Sequence, residues 1–434
     1  MTRLIMVTRQ GGPTPVLVML MTALAGLGQF ASNIYIPSMP AVAAALGATM
    51  SAVQTTLAVF LATFAIFQLI CGPLSDRLGR RRVLFAGMAT FIAGTVVCVL
   101  SADLACLIGG RVLQGAGASA AFVVSRAITR DLFTGPALAR LTASILMAFS
   151  LVPGLTPLIG GLLQEWGGWR WTFGATVVFG VVLFALVLRI GETNLQPIAR
   201  LDAGAIRGAY RDVLRSRAFL QCAISSALAF ACLSAFFAGS PDMYIGRLGV
   251  RPIEYGLYPP LTLTGYVLGG LLTRRLVGKL STTAISGLGL SLIAVATVAI
   301  AAFPAAGILH KHIFTGCMIV FVTGLGVFMP TAVAAALTPF ANTAGSASAM
   351  LGFLQTGGCA LGAFAVSALL GRLPVLAFPS VMAVGGIAAA LSFVCLQPRQ
   401  TKRERANAAD DPDLDMDVLR PAEGTPSPSL PGGR

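Results

Sequence analysis

The sequence predicts an all-α integral membrane protein whose twelve transmembrane helices form two six-helix bundles. Three observations carry that expectation. Hydrophobic residues make up 56% of the 434 and charged residues only 11%, against roughly 25% charged in soluble domains. Apolar segments of about 20 residues, long enough to cross a bilayer core, recur six times before residue 191 and six times after residue 217. The basic residues fall in the gaps between segments, and in alternate gaps.

In the first half the spans are expected near 16–36, 52–72, 83–101, 104–125, 138–163 and 171–190. The first follows Pro15 and is longer than the apolar core of a cleavable leader, so it is expected to remain. In the second half the spans are expected near 218–241, 255–273, 280–303, 313–336, 345–370 and 374–396. Between the halves lies a polar linker at 191–217. Residues 1–15 precede the first span, and 397–434 form a tail rich in Arg, Asp, Pro, Ser and Gly. That composition cannot bury enough apolar surface to fold, so disorder is expected there.

Lys and Arg resist translocation, which fixes the expected orientation. One set of gaps holds Arg3 and Arg9, then Arg77 and Arg80 to Arg82, then Arg126, Arg130 and Arg140. The same set continues with Arg189 to Arg217 in the linker, Arg274, Arg275 and Lys279, and Arg399 to Arg405. The opposite gaps hold only Arg170, Arg247, Arg251, Lys311 and Arg372. Both termini are therefore expected on the cytoplasmic side, with the bundles (16–190 and 218–396) crossing the cell's inner membrane.

Topology accounts for the net charge of +14, because no basic patch is interleaved with aromatics on a soluble face, and no nucleic-acid partner is expected. The eight cysteines lie scattered in apolar stretches without Cys-x-x-Cys or metal-ligand spacing, so neither disulfides nor a metal site is expected. No Gly-x-x-x-x-Gly-Lys-Ser/Thr loop is present to bind a nucleotide, and no cofactor is expected. The spans contain no paired carboxylates, no His-x-x-x-His and no Ser/His constellation, so no enzyme is expected.

The most informative motif is Gly72-Pro-Leu-Ser-Asp-Arg-Leu-Gly-Arg-Arg-Arg-Val83, one carboxylate among two glycines and four arginines between the second and third spans. A degenerate copy, Gly270-x-Leu-x-Arg274-Arg275-x-x-Gly278-Lys279, follows the eighth span. Asn33-Ile-Tyr35-Ile at the end of the first span has its match in Asp242-Met-Tyr244-Ile at the end of the seventh. Six plus six spans with such echoes suggest a duplicated half, a transporter design that places the site between halves.

These residues carry a specific resemblance. The Gly72 to Arg82 segment resembles the signature between helices 2 and 3 of the major facilitator superfamily. Arg111-Val-Leu-Gln114-Gly115 resembles the Arg-x-x-Gln-Gly motif of its fourth helix, and Pro153-Gly154-x-x-Pro157-x-x-Gly160-Gly161 the fifth-helix motif of its drug:proton antiporters. Asn33-Ile-Tyr35-Ile-Pro37, Trp169-Arg170-Trp171, Ser240-Pro241-x-x-Tyr244 and Gly345-Ser-Ala-Ser-Ala-Met-Leu-Gly352 resemble the bicyclomycin/chloramphenicol resistance (Bcr/CflA) branch. The resemblance covers about residues 20–396. It implies the major facilitator fold and a monomeric exporter of small amphipathic drugs, working by alternating access in exchange for protons. A facilitator exporting a sugar or amino acid, not coupled to protons, is the alternative. A membrane receptor or scaffold that moves no solute is the rival from another class.

Named residues have expected places in that scheme. Arg111, with Gln114 one turn away, is expected to face the central cavity and to hydrogen-bond Asn33 or Gln29. Snorkelling to the interface is its plainer reading. Tyr35, Phe237, Phe230, Phe236, Phe321 and Phe328 are expected to line a pocket, with lipid contact as the alternative for the phenylalanines. The resemblance implies that Asp76, held among Gly72, Arg77, Gly79 and Arg80, docks at the N-terminal end of the eleventh helix near Asn342 to Ser346. There free amides and the helix dipole favour an anion. Pro153, Gly154, Pro157, Gly160 and Gly161 are expected to kink and seal the fifth helix. The branch carries Asp where this chain has Asn33, and Asp242 is then the expected proton carrier. Without a buried carboxylate to offset their desolvation, lipophilic cations are expected to be poorer substrates than neutral compounds.

Overall fold

A computed structural model describes residues 14–194 and 203–397, without some side chains of the fifth helix and of residues 341–344. The expected tail, most of residues 1–15 and part of the linker lie outside the described residues. Among those described, twelve helices have 19 residues or more, and they are numbered here in chain order. The first six are α1 (Pro15–Asn33), α2 (Met50–Leu78), α3 (Arg80–Leu100), α4 (Leu104–Leu132), α5 (Gly135–Gly167) and α6 (Trp169–Val187). The second six are α7 (Arg217–Pro241), α8 (Tyr258–Leu276), α9 (Thr282–Ala305), α10 (Lys311–Leu337), α11 (Ala344–Leu370) and α12 (Ala377–Cys395).

Ten of these are long and apolar enough to cross a membrane by length and composition. The exceptions are α5, whose side chains are only partly described, and α8, which opens on Tyr258-Pro259-Pro260 and closes on Arg274-Arg275 within 19 residues. Apolar side chains such as Leu100, Val178, Val267, Val295, Leu361, Val384 and Val394 stand exposed on the outside of the bundles. A surface like that belongs against lipid tails rather than water.

Local chemistry sets the helix limits. Thr14, Thr49, Asp103, Ser216 and Ser281 each accept a bond from an amide three residues on, satisfying a first-turn donor of α1, α2, α4, α7 and α9 respectively. The expected loop from Gly72 to Val83 is corrected: α2 continues helically through Leu78 and α3 begins at Arg80. Leaving the apolar zone does not end a helix. The break falls at Gly79, whose φ of +93° is open to glycine and strained for other residues. A Cβ there would also meet Glu192 Oε2 at 2.5 Å.

Two cores organise the molecule. One is confined to the first half and gathers Leu20, Leu24, Phe60, Phe64, Leu84, Phe91 and Val187. The other runs through the second half and takes in Tyr35, Met39, Val53, Leu57, Trp169 and Phe173 from the first. Those first-half residues sit where α1 and α3 end and where α2, α4 and α6 begin. This distal end, opposite the chain termini, is thus a single fused core, and the terminal end of the first half packs separately. Lengthwise, α2 packs along α11 and α5 against α8.

Candidate functional site

Arg111 is the eighth residue of α4, roughly 10 Å in at 1.5 Å per residue. Its side chain is fully buried, so it does not snorkel. One guanidinium nitrogen, Nη1, donates to Gln114 Oε1 and, at 3.3 Å, to the carbonyl of Ala31 on α1. Gln114 is itself held through Nε2 to Thr95 Oγ1 on α3 at 3.0 Å. Aromatic rings enclose the group: its Cζ lies 4.3 Å from the Phe60 centroid and 5.3 Å from that of Tyr35. Tyr35 is fixed in turn by its hydroxyl, 3.1 Å from Thr56 Oγ1. The remaining donors, Nε and Nη2, have no hydrogen-bond partner.

The expected bond from Arg111 to Asn33 or Gln29 is corrected. Asn33 Nδ2 turns back on its own helix, to the Gln29 carbonyl at 2.8 Å, Gln29 Oε1 at 3.3 Å and Ser32 Oγ at 3.2 Å. A short amide in a helix reaches the carbonyl four residues back more readily than a neighbouring helix. The first helix meets Arg111 with backbone instead.

Asp76 also departs from expectation. Its carboxylate pairs with Arg80, which bridges to Asp131 Oδ2 at 3.0 Å and Ser75 Oγ at 2.7 Å, all within the first half. The Asp76 carbonyl accepts from Asn194 Nδ2 at 2.9 Å. An anion does occupy a helix N-terminus here, but it is Glu192 on α3, accepting from Arg80 N at 2.8 Å and Arg81 N at 3.1 Å. Arg80 is only four residues from Asp76, just across the break at Gly79, and it captures the carboxylate before α11 can. At the start of α11 the neighbour is Arg130, whose Nη1 lies 3.4 Å from a Cβ built on Gly345.

At the distal end the halves are tied by named contacts. Glu165 at the end of α5 binds Arg251 Nη2 at 2.7 Å and accepts from Ile253 N at 3.3 Å. Ser51 Oγ donates to the Ser367 carbonyl at 2.6 Å, and Thr55 Oγ1 lies 2.8 Å from Ser367 Oγ. The fifth-helix motif is seated in the same closure. Pro153 and Pro157 lie inside α5, and Gly154 abuts Leu263 of α8. A Cβ on Gly160 would stand 2.1 Å from the Ile34 carbonyl oxygen, and one on Gly161 2.4 Å from that of Pro252. Sequence reasoning missed Ser367 and Glu192. One signal was available: Glu192 is the sole acid between the sixth span and residue 201.

Among the described residues the second half carries no buried charge. Tyr244, matching Tyr35, is fully buried among Phe236, Tyr255, Tyr258 and Phe314, with its hydroxyl 3.1 Å from Thr315 Oγ1. Asp242 is tied to Arg247 Nε at 3.0 Å in a π-helical extension of α7, partly exposed at the distal end. Phe236, Phe321 and Phe328 are buried in the core that runs through the second half, and Phe230 and Phe237 are partly buried against it. Among the described residues no group of three His, Cys, Asp or Glu comes together as a metal site.

A family model described as Major Facilitator Superfamily matches residues 18–363. The chain is 28% identical over 393 residues to Multidrug resistance protein D of Escherichia coli, spanning 89% of this chain and 96% of that protein. It is 28% identical over 349 residues to the Chloramphenicol resistance protein of Pseudomonas aeruginosa, spanning 80% and 81%. It is also 29% identical over 385 residues to the uncharacterized MFS-type transporter YdgK of Bacillus subtilis, spanning 87% and 94%. A bacterial homolog of the human lysosomal transporter Spinster, solved in an inward-facing, unoccupied conformation, superposes with a TM-score of 0.66 at 15% identity, over 89% of this chain and 96% of that one.

Proposed function

Because the chain belongs to the Major Facilitator Superfamily and is a multi-pass membrane protein, we propose that it exports small amphipathic drugs, chloramphenicol among them, by alternating access across the cell's inner membrane. One observation carries the proposal: among the described residues the buried apolar side chains of the two halves merge into a common core at the distal end, while the terminal end of the first half keeps a core of its own. A bundle pair closed at one end is one state of a carrier that opens to each side in turn. The curated relatives named for multidrug and chloramphenicol resistance support the choice of cargo. The arginine-rich gaps between spans support an orientation with the terminal end, Asp76 and Arg80 included, in the cytoplasm.

Exchange for protons would fall on Asp242, the acid that occupies in the second half the place Asn33 takes in the first. Export not coupled to protons is the second reading. What favours it is that no Asp, Glu or His lies well inside any span and that Asp242 is already committed to Arg247. A susceptibility panel in an efflux-deficient host tests the function: expression should lower sensitivity to chloramphenicol more than to ethidium. Unchanged sensitivity to every compound, with the protein present in the membrane, would refute it. Repeating the panel with a protonophore tests whether export draws on the proton-motive force at all.

A further inference from the structure

We infer that among the amphipathic compounds this chain exports the preferred ones carry a negative charge on an aromatic body, held by Arg111 and Arg126, and that the membrane potential rather than a proton drives these anions out. The inference rests on the efflux reading above and deepens it. Arg111 and Arg126 are fifteen residues apart on α4, a little over four turns, so they fall within about 60° of one face and roughly 22 Å apart. Neither forms an ion pair among the described residues. The carboxylates on α2 and α4, Asp76 and Asp131, are both taken by Arg80.

Aromatic rings fill the interval between them. Arg126 Cζ lies 5.2 Å from the Phe122 centroid, Phe122 stacks 5.7 Å from Phe64, Phe64 lies 6.2 Å from Phe60, and Phe60 covers Arg111. At the terminal end this column begins beside Arg130 and the start of α11, between the two halves. At its upper end the Nε and Nη2 donors of Arg111 lie on one edge of the guanidinium and are both unsatisfied although fully buried. That edge is the two-donor fork that matches a carboxylate or sulfonate.

A buried guanidinium without a counterion is costly in a membrane and persists where function needs it. An aromatic monoanion would supply the missing charge, stack on the rings and complete the fork. It would meet Arg126 first from the cytoplasm, and reach Arg111 as the distal core parts. Its charge also removes the need for a proton carrier. A potential of 100 mV, negative inside, supports about a fifty-fold outward gradient of a monoanion, equivalent to about 2.3 kcal/mol.

The test uses the full chain in proteoliposomes loaded with naphthalene-2-sulfonate or its uncharged isostere naphthalene-2-sulfonamide, with chloramphenicol as a third arm. Valinomycin and potassium set the potential. Efflux of the sulfonate should rise with an inside-negative potential, persist with a protonophore, and exceed that of the sulfonamide about tenfold. Arg126→Gln should erase that preference and Arg126→Lys restore part of it. Because Arg126 keeps some exposed surface where Arg111 keeps none, the test stands even if Arg111→Gln fails to insert. Export of chloramphenicol with no preference for the sulfonate, or a preference that Arg126→Gln leaves intact, would overturn the inference and spare the efflux reading. Failure of all three solutes to move would overturn both.

Discussion

The two halves end their leading helices on the same residue and use it differently. In the first, Tyr35 turns its hydroxyl to Thr56 and its ring to Arg111 of the fourth helix. In the second, Tyr244 meets Thr315 of the tenth, the fourth helix of its own half, inside an aromatic cluster. A duplicated scaffold thus keeps its packing node and drops the charge from one copy. The difference assigns recognition to the first half, where an unsatisfied guanidinium stores binding capacity. On the proposed mechanism the second half then serves as the wall against which the first rocks.

Arg111→Met gives the largest expected effect and cuts most directly at this division. It should lower transport by about a hundredfold or more, since two charge-assisted donors and the charge itself are lost. Thermal stability should hold or rise, because replacing a buried unpaired charge by an apolar side chain of similar volume is often neutral or stabilising. Vesicle flux and melting temperature, measured together, check both. A large loss of stability would make Arg111 a structural residue and dissolve the contrast between the halves.

Gly161→Val comes next, and it addresses the seam instead of either half. A Cβ there already meets the Pro252 carbonyl oxygen at 2.4 Å, and backbone cannot yield as a side-chain tip can. The distal closure should spring open, transport should fall about tenfold, and labelling of a Ser367→Cys reporter from outside should increase. Unchanged labelling would mean that the seam between α5 and the segment before α8 is not what shuts the distal end.

Thr315→Val probes the second half on the same terms as Arg111 in the first, and a smaller effect is expected. Tyr244 keeps its bond to the Lys311 carbonyl at 3.3 Å, so the loss should be about 1 kcal/mol of stability with transport within about twofold of the parent. Transport abolished by this change would place recognition in both halves.

The architecture was legible because twelve apolar stretches and the alternating arginines are properties of composition, which a membrane reads directly. Arg111 was legible for the same reason, as a charge in hydrocarbon demands an explanation from sequence alone. Its partner was not: the Ala31 carbonyl has no signature in the sequence, and Asn33 spends its donors on its own helix. The role given to Asp76 failed on competition at close range. Arg80 stands four residues away across the Gly79 break, and Glu192, 112 residues from Arg80, takes the helix N-terminus. Neither preference leaves a mark until the chain is folded. The distal tie from Ser51 and Thr55 to Ser367 joins hydroxyls more than 300 residues apart, and small polar residues of that kind look alike wherever they occur in a span.

The smallest expected effect separates proton sensitivity of the fold from proton use in transport. Glu254 lies in the turn before α8, where bonds from Lys311 Nζ and from the Tyr258 hydroxyl at 3.1 Å hold its carboxyl below the usual value. A depressed carboxylate contributes stability that is complete above its unfolded value, near 4.5, and is lost as pH falls through the lower folded one. Glu254→Gln should therefore lower the melting temperature slightly at pH 7, and the gap to the parent should close in strong acid. The pair is solvent-exposed, so salt should shrink the gap as well. Transport by the variant should keep the pH dependence of the parent. If the variant instead altered proton exchange at neutral pH, the charged chemistry of the second half would reach the transport cycle, and the passive wall assigned to it would have to be abandoned.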